Sequence, residues 1–407
     1  MKSNIKFFIG IDWSRETHQV SVLNEAGQAV VRFMIRHNHA GFEQLQKQLN
    51  QIHSNPTDML VAIETDHNQV VDFLYGLGYI MYLIPPNVVK GNRSRQSNAG
   101  AKDDVRDADL LSTIVRTDHH HLTPWHPAGE LVQSVRHQVR LIDDLTEDIV
   151  RGHNRLEAQL LRYFPVGADI FSSLTTQIAL KFLIQYPTPT LVAQVSPQEF
   201  EAFCKANRYP QLARIAQRYA RLKQVNPARN QSLETIYGHT MPVIAQQLLA
   251  DVQQKNQLLK KMNTLFLTHP DAEVYRSIPG CGNLLSPKLL TIFGDNRERF
   301  SSPDHLRALA GTAPVTSQSG KSRSVYFRKA CNKEWRETFQ QVAMVSVKQS
   351  VWAATYYEEA RFRGKKKSQA YRSLANRWVG IIWTLWQRKQ PYDEALHLSH
   401  VARFKRS

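Results

Sequence analysis

The sequence predicts an α/β domain followed by a longer, mainly helical region, and three observations predict it. Residues 5–125 alternate short apolar runs, rich in β-branched and aromatic residues, with stretches of helical period. From residue 130 onward apolar residues recur at helical spacing over long stretches. Candidate catalytic acids crowd into the first quarter, while basic residues cluster late. At 407 residues the chain is too long for one compact domain, and the expected division is 1–125, 126–273 and 274–407.

The first domain is built element by element. FFIGIDWS, THQVSVLNEAG and AVVRFMIRH read as three strands joined as successive hairpins, with NEAG a turn. AGFEQLQKQLNQI carries apolar residues at 42, 45, 49 and 52, a helical period. MLVAIET is continuously apolar, as a strand buried on both faces would be. VVDFLYGLGY reads as a helix ending at Gly78, and IMYLIPP as a strand closed by Pro85 and Pro86. The resulting order, β-β-β-α-β-α-β-α, is that of a ribonuclease H-like (RuvC-like) fold.

Lys and Arg outnumber Asp and Glu by 52 to 35, a formal charge of +17. A polyanionic partner follows, and nucleic acid is the commonest. Cys204, Cys281 and Cys331 lie far apart without CxxC spacing, against a disulfide framework or zinc site and in keeping with a reducing cytosol. The opening MKSNIKFFIGIDWS has too short an apolar run for a signal peptide, and no apolar stretch reaches the ~18 residues of a membrane span. The expectation is a soluble, cytoplasmic protein.

Four acids carry the chemistry. Asp12 and Glu64 each follow an apolar run, FFIGI and MLVAI, so their carboxylates can converge if the two strands are neighbours. Asp104 and Asp107, in KDDVRDADLL, stand at i and i+3 on one helix face. Four carboxylates cannot share one pocket without cations, because each raises the pKa of the others. Oxygen-only ligands select Mg²⁺ or Mn²⁺, and two such ions about 3.5–4 Å apart would clamp a scissile phosphate. Asp66, Asp103 and Asp109 compete, and Asp103 with Asp107 at i, i+4 is geometrically as acceptable as Asp104 with Asp107.

The helical region offers nucleic-acid contacts. Residues 130–163 and 242–266 are long amphipathic segments, readable as an antiparallel coiled-coil arm or as an ordinary bundle. Residues 166–235 look helical and include the basic run RYPQLARIAQRYARLKQVNPARN. SIPGCGNLL has the hydrophobic-Pro-Gly-x-Gly pattern of a helix-hairpin-helix, in which Gly280 and Gly282 let backbone N–H groups approach a phosphate and Lys288 adds a charge. The Ser/Gly-rich loop APVTSQSGKSRSVYFRKACNKEWR brings Lys321, Arg323, Arg328, Lys329 and Arg336. GKKK at 364–367 is a basic turn suited to backbone phosphate, and the tandem His119–His121 with His126 reads as a polar loop. Trp378, Ile382 and Trp386 share one face of the last helix and read as core rather than a base-stacking platform.

Taken together, IGIDWS, AIET, IPPNVVKGNRSRQSNAGAKDDVRDADLL, SIPGCGNLLSPKLLTIFGD, ALAGTAPVTSQSGKSR and RKACNKEWR resemble the DEDD-type insertion-sequence transposases, which include the Piv-like invertases and the bridge-RNA-guided recombinases. The resemblance covers residues 5–125 and 274–390. Its Lys-Thr-Asp-x-x-Asp-Ala pattern is matched by Lys102, Asp104, Asp107 and Ala108, with Asp103 where Thr or Asn is usual. Asp12 and Glu64 match the first two acids, and Cys331 stands where the family usually has glycine. The resemblance implies that Ser319, in Gln-Ser-Gly, forms a phosphoserine link to DNA, with Ser317 as the fallback. It also implies a bound Mg²⁺ pair, a structured guide RNA that chooses DNA by base pairing, a homodimer or homotetramer, and a place in the bacterial or archaeal nucleoid. Two other readings stay open: a metal-dependent, structure-selective endonuclease using water, and a non-catalytic nucleic-acid-binding scaffold.

Overall fold

The computed structural model describes residues 5–65, 68–96, 104–224, 231–320 and 322–399. Two compact units divide the chain, 1–127 and 128–407.

The first unit is a five-stranded mixed sheet with helices on both faces. Its elements run β1 (Phe7–Trp13), β2 (Thr17–Asn24), β3 (Ala29–Arg36), α1 (His39–Ile52), β4 (Met59–Ile63), α2 (Gln69–Gly76), β5 (Ile80–Leu83), α3 (Pro86–Gln96) and α4 (Asp104–Asp118). The strand order is β3-β2-β1-β4-β5. β1, β2 and β3 pair antiparallel, and β4 pairs parallel with both β1 and β5. This arrangement is compatible with a ribonuclease H-like domain.

Side-chain alternation explains the two layers. Ile9 and Ile11 of β1 join Leu45 and Leu49 of α1 and Val71 and Leu74 of α2 on one face. Phe8 joins Leu111, Ile114 and Val115 of α4 on the other. Every residue of β4 is buried, which is why MLVAI shows no alternation. Each fully buried Ile or Leu here contributes roughly 1.5–3 kcal/mol.

α4 lies directly on β1. A Cβ at Gly10 would overlap the Ala108 carbonyl oxygen and the Ser112 amide nitrogen. Asp109, on the same helix, is committed to structure. It accepts a hydrogen bond from Ser21 Oγ of β2 at 2.5 Å and pairs with Arg32 of β3 at 2.8 Å.

The second unit is helical apart from one hairpin, as far as its described residues go. Two long helices, α5 (Glu130–Tyr163) and, after the short helices α6 (Pro165–Asp169), α7 (Gln177–Gln185), α8 (Pro189–Gln194), α9 (Pro197–Ala206) and α10 (Ile215–Leu222), α11 (Gln231–Phe266), pack on each other. Both span two hydrophobic clusters. Ile149, Leu156 and Leu160 of α5 meet Met241, Ala245 and Leu248 of α11 among the short helices. Val132, Val135 and Ile142 of α5 meet Met262 and Phe266 of α11 in the other cluster. The two helices are therefore antiparallel.

That other cluster holds the rest of the unit: α12 (Ala272–Arg276), α13 (Leu285–Phe293), α14 (Pro303–Leu309), the hairpin β6 (Val315–Ser319) and β7 (Ser322–Tyr326), α15 (Lys333–Ser346), α16 (Val351–Phe362) and α17 (Lys367–Arg388). Trp378, Ile382 and Trp386 of α17 are fully buried, as core residues. The indole N–H of Trp378 donates to Ser346 Oγ at 2.8 Å and that of Trp386 to the Gly294 carbonyl at 3.2 Å. Both polar tips are thus satisfied inside the core. Among the described residues no helix is long and apolar enough to cross a membrane.

Candidate active site

The sheet register assembles the acids. Asp12 of β1 lies opposite Gln19 of β2, and Gln19 lies opposite Met34 of β3. On the other side β1 runs parallel to β4 with Ile11 opposite Ile63, so the next step sets Glu64 beside Asp12. Asp12 has the parity of Phe8 and Gly10, whose face is covered by α4. Glu64 likewise has the parity of Leu60 and Ala62, buried on that same face. Because Gly10 admits α4 to contact distance, the first turn of α4 arrives at this strand end carrying Asp104 and Asp107.

All four acids line one cleft of about 600 Å³, with Ser14, Thr17, Gln19 and Lys90 among their neighbours. Asp107 is the most enclosed, at 7% exposure, whereas Glu64 and Asp104 are exposed. First-turn acids also sit favourably at a helix N-terminus, which stabilises Asp104 and Asp107 with or without a cation. Among the described residues no three His, Cys, Asp or Glu side chains are drawn together tightly enough to hold a metal ion as they stand. The donor set itself, oxygen throughout, is of the kind that suits Mg²⁺ or Mn²⁺.

Of the competing acids, Asp109 is taken by Ser21 and Arg32, while Asp66 and Asp103 fall outside the described residues, as does Lys102. Lys90 is a cleft residue that sequence reasoning missed, as are Ser14, Thr17 and Gln19. The signal for Lys90 was its place one turn into the helix that leaves the β5 strand end. The histidine run is a short 3-10 turn in which His119 Nδ1 lies 3.0 Å from the Val115 carbonyl.

In the second unit Ser319 is the last residue of β6, exposed, and paired with Ser322 across the turn at Gly320. The segment read as a loop is a β-ribbon. Its Val-Thr-Ser-Gln-Ser and Ser-Arg-Ser-Val-Tyr strands are joined through Gly320 at φ +54°, a left-handed conformation that glycine adopts without penalty. Ser317 lies two residues from Ser319 and therefore on the same face.

The expected DNA contacts differ in setting. Arg323 and Lys329 are exposed, and Lys321 falls outside the described residues. Arg328 donates from Nε to the Ala313 carbonyl at 3.3 Å. Arg336 is tied to the carbonyls of Arg328 and Lys329 and to Cys331 Sγ, so it shapes the segment after the ribbon. Gly280 has φ +79°, and a Cβ there would crowd Val345, while space around Gly282 is open. Lys288 is only 8% exposed. Its ammonium lies 2.7 Å from Asp143 of α5, so it braces α13 on α5 in place of the expected phosphate contact. Burial pushes the Cys281 thiol up to about 12, which leaves it unreactive.

Known proteins match on both sides of the helical middle. A transposase family model of the IS110 DEDD type covers residues 9–165, and one described as the IS116/IS110/IS902 transposase family covers 272–358. A Streptomyces coelicolor protein named as the mini-circle transposase candidate for IS117 is 28% identical over 400 residues, 97% of each chain. The 44.8 kDa protein of insertion element IS116 from Streptomyces clavuligerus is 23% identical over 98% of each chain. The pilin gene-inverting protein of Moraxella lacunata is 29% identical over 131 residues, 31% of this chain and 40% of its own. The first model spans all four cleft acids and the second spans the ribbon, and on this ground the chain belongs to the IS110-type DEDD transposases.

Proposed function

We propose that this transposase is a site-specific DNA recombinase that breaks strands with the carboxylates of Asp12, Glu64, Asp104 and Asp107 and the hydroxyl of Ser319. The observation that carries the reading is the meeting of four acids, distant in sequence, on one cleft in a chain of formal charge +17. Two divalent cations, when bound, would supply Lewis-acid stabilisation of charge on the phosphate oxygens. The protein's own part is to present oxygen ligands from two strand ends and one helix turn, so that no side chain has to be recruited from a mobile loop.

Ser319 would attack phosphorus through Oγ. The Oγ–P bond forms as one P–O bond to a deoxyribose breaks. The serine proton passes to solvent, and the departing sugar oxygen takes up a proton. The ester keeps the bond energy, so a second strand can be joined by the reverse exchange without ATP. Two further proposals come with the family resemblance: a structured guide RNA that selects donor and target by base pairing, and a homo-oligomer in which several chains act on one junction.

A second reading, a metal-dependent endonuclease with water as nucleophile, is favoured by one fact: the four carboxylates all belong to the first unit and need no residue from the second. Labelled suicide DNA separates the two. Under the first reading label stays on denatured protein, and Ser319→Ala abolishes both label and strand exchange. Under the second, cutting persists in Ser319→Ala and no label is retained by either protein.

A further inference from the structure

We propose that the groove at the base of the β6–β7 ribbon binds the phosphodiester backbone of a DNA strand through Arg328, Lys365, Arg372 and Arg377. The inference rests on the recombinase reading above and deepens it by assigning a place for the DNA flanking the broken phosphate.

The groove has a volume of about 660 Å³, and five cationic side chains line it with no Asp or Glu among its lining residues. Among the described residues, Arg307 alone of the five has a carboxylate partner, Asp304 at 2.7 Å. The Lys365 ammonium donates to a neutral group, the hydroxyl of Ser373, at 2.9 Å. Arg372 and Arg336 both stack on the ring of Phe327, at 4.3 and 4.6 Å from its centroid. Each has a buried Nε without an acceptor. Two guanidiniums crowded on one ring repel each other, an arrangement that a counter-charge beside Arg372 relieves. Burial and the charge of Arg336 together hold the Arg372 pKa below its usual value, the electrostatic signature of that crowding. Arg377 lies over Tyr356 at 5.9 Å and lines the groove.

Position selects the ligand. Val325 and Tyr326 of β7 form part of the groove, and Tyr326 pairs with Val315, the first residue of β6. Ser319 is four residues further along that strand, about 13 Å away at ~3.3 Å per residue. A B-form strand advances ~3.4 Å per nucleotide, so the groove meets the backbone about four nucleotides from a phosphate held at Ser319. Guanidinium forks match phosphate oxygens in pairs, and aromatic backing holds them flat for that contact.

The test uses the full chain and a short fluorescein-labelled DNA duplex, read by anisotropy between about 50 and 200 mM salt. Arg372→Gln with Arg377→Gln should weaken binding at least about tenfold and lower the salt slope by about two. Arg372→Lys, which keeps the charge, should keep the slope. If the double variant melts early, Lys365→Gln carries the test, with a slope loss of about one. An unchanged slope in a folded variant overturns the proposal, and so does a loss seen with an RNA duplex of the same sequence but not with DNA. Absence of any covalent DNA adduct in the parent, with the groove variants still weakened, would reject the recombinase reading and leave the groove standing.

Discussion

Gly10 of β1 and Ala108 of α4 touch backbone to backbone, and this contact sets where the acids of α4 stand relative to the strand ends. No residue with a side chain fits at position 10 without moving the helix. The cleft is thus positioned by the absence of a side chain as much as by the carboxylates themselves.

Gly10→Ala should therefore cost about 1–3 kcal/mol, the range for an overpacked interior, and should also depress DNA cleavage at temperatures where the protein stays folded. Urea denaturation gives the first quantity and a cleavage assay the second. A variant of unchanged stability and activity would show that α4 can shift freely.

Asp12→Asn and Asp107→Asn should each lower Mg²⁺-dependent strand cleavage at least about a hundredfold, about 2.7 kcal/mol of barrier. Their DNA affinity should stay level or rise slightly, since each removes a negative charge from the nucleic-acid side of the chemistry. Mn²⁺ binding followed by electron paramagnetic resonance should weaken in parallel, and EDTA should stop cleavage by the parent. Lost DNA binding with unchanged Mn²⁺ affinity would make these acids structural.

The Lys288–Asp143 pair predicts opposite behaviour for stability and binding. Asp143→Ala strands a buried ammonium, and it also leaves Lys255, whose pKa burial holds down, facing Lys288 without the shared carboxylate. Because Asp143 is one-third exposed, the expected loss is about 1–3 kcal/mol, less than for a fully buried pair. Lys288→Met should leave DNA affinity unchanged, as anisotropy would record.

His18 gives the first unit a pH dependence. It is fully buried, its Nε2 lies 2.8 Å from His37 Nδ1, and burial followed by the His37 charge lowers its pKa to about 4. The folded state therefore prefers the neutral ring, and the unfolded chain binds the proton more readily. The contribution is fully present above the unfolded value near 6.5 and is lost as pH falls from there towards about 4, by about 3 kcal/mol in all. Denaturation midpoints across that window should fall in the parent and stay flatter in His18→Phe.

The strands and the acids were legible because both depend on local pattern. FFIGID and MLVAIE announce buried strands ending in carboxylates, and parallel pairing of β1 with β4 does the rest. Asp109 could not be separated from its neighbours by spacing, because what distinguishes it is contact with Ser21 and Arg32, far away in sequence. Lys288 misled for the same reason. Its glycine-rich context resembles a phosphate site, while its carboxylate partner lies on α5. The sequence of the ribbon carrying Ser319 reads as a loop, because Ser, Thr, Gln and Arg give a strand no apolar face to recognise.

That same ribbon has a mechanical consequence. β6 and β7 hydrogen-bond only to each other in their sheet, and β6 is exposed along its whole length. A lone pair of strands is marginal in water. Its amides should exchange with deuterium well before those of the buried helix α17, and its curvature is open to whatever lies against it. Bending Ser319 towards a bound strand would then draw on a small, local reserve of order, and the tryptophan-lined interior, to which neither strand contributes, would stay intact.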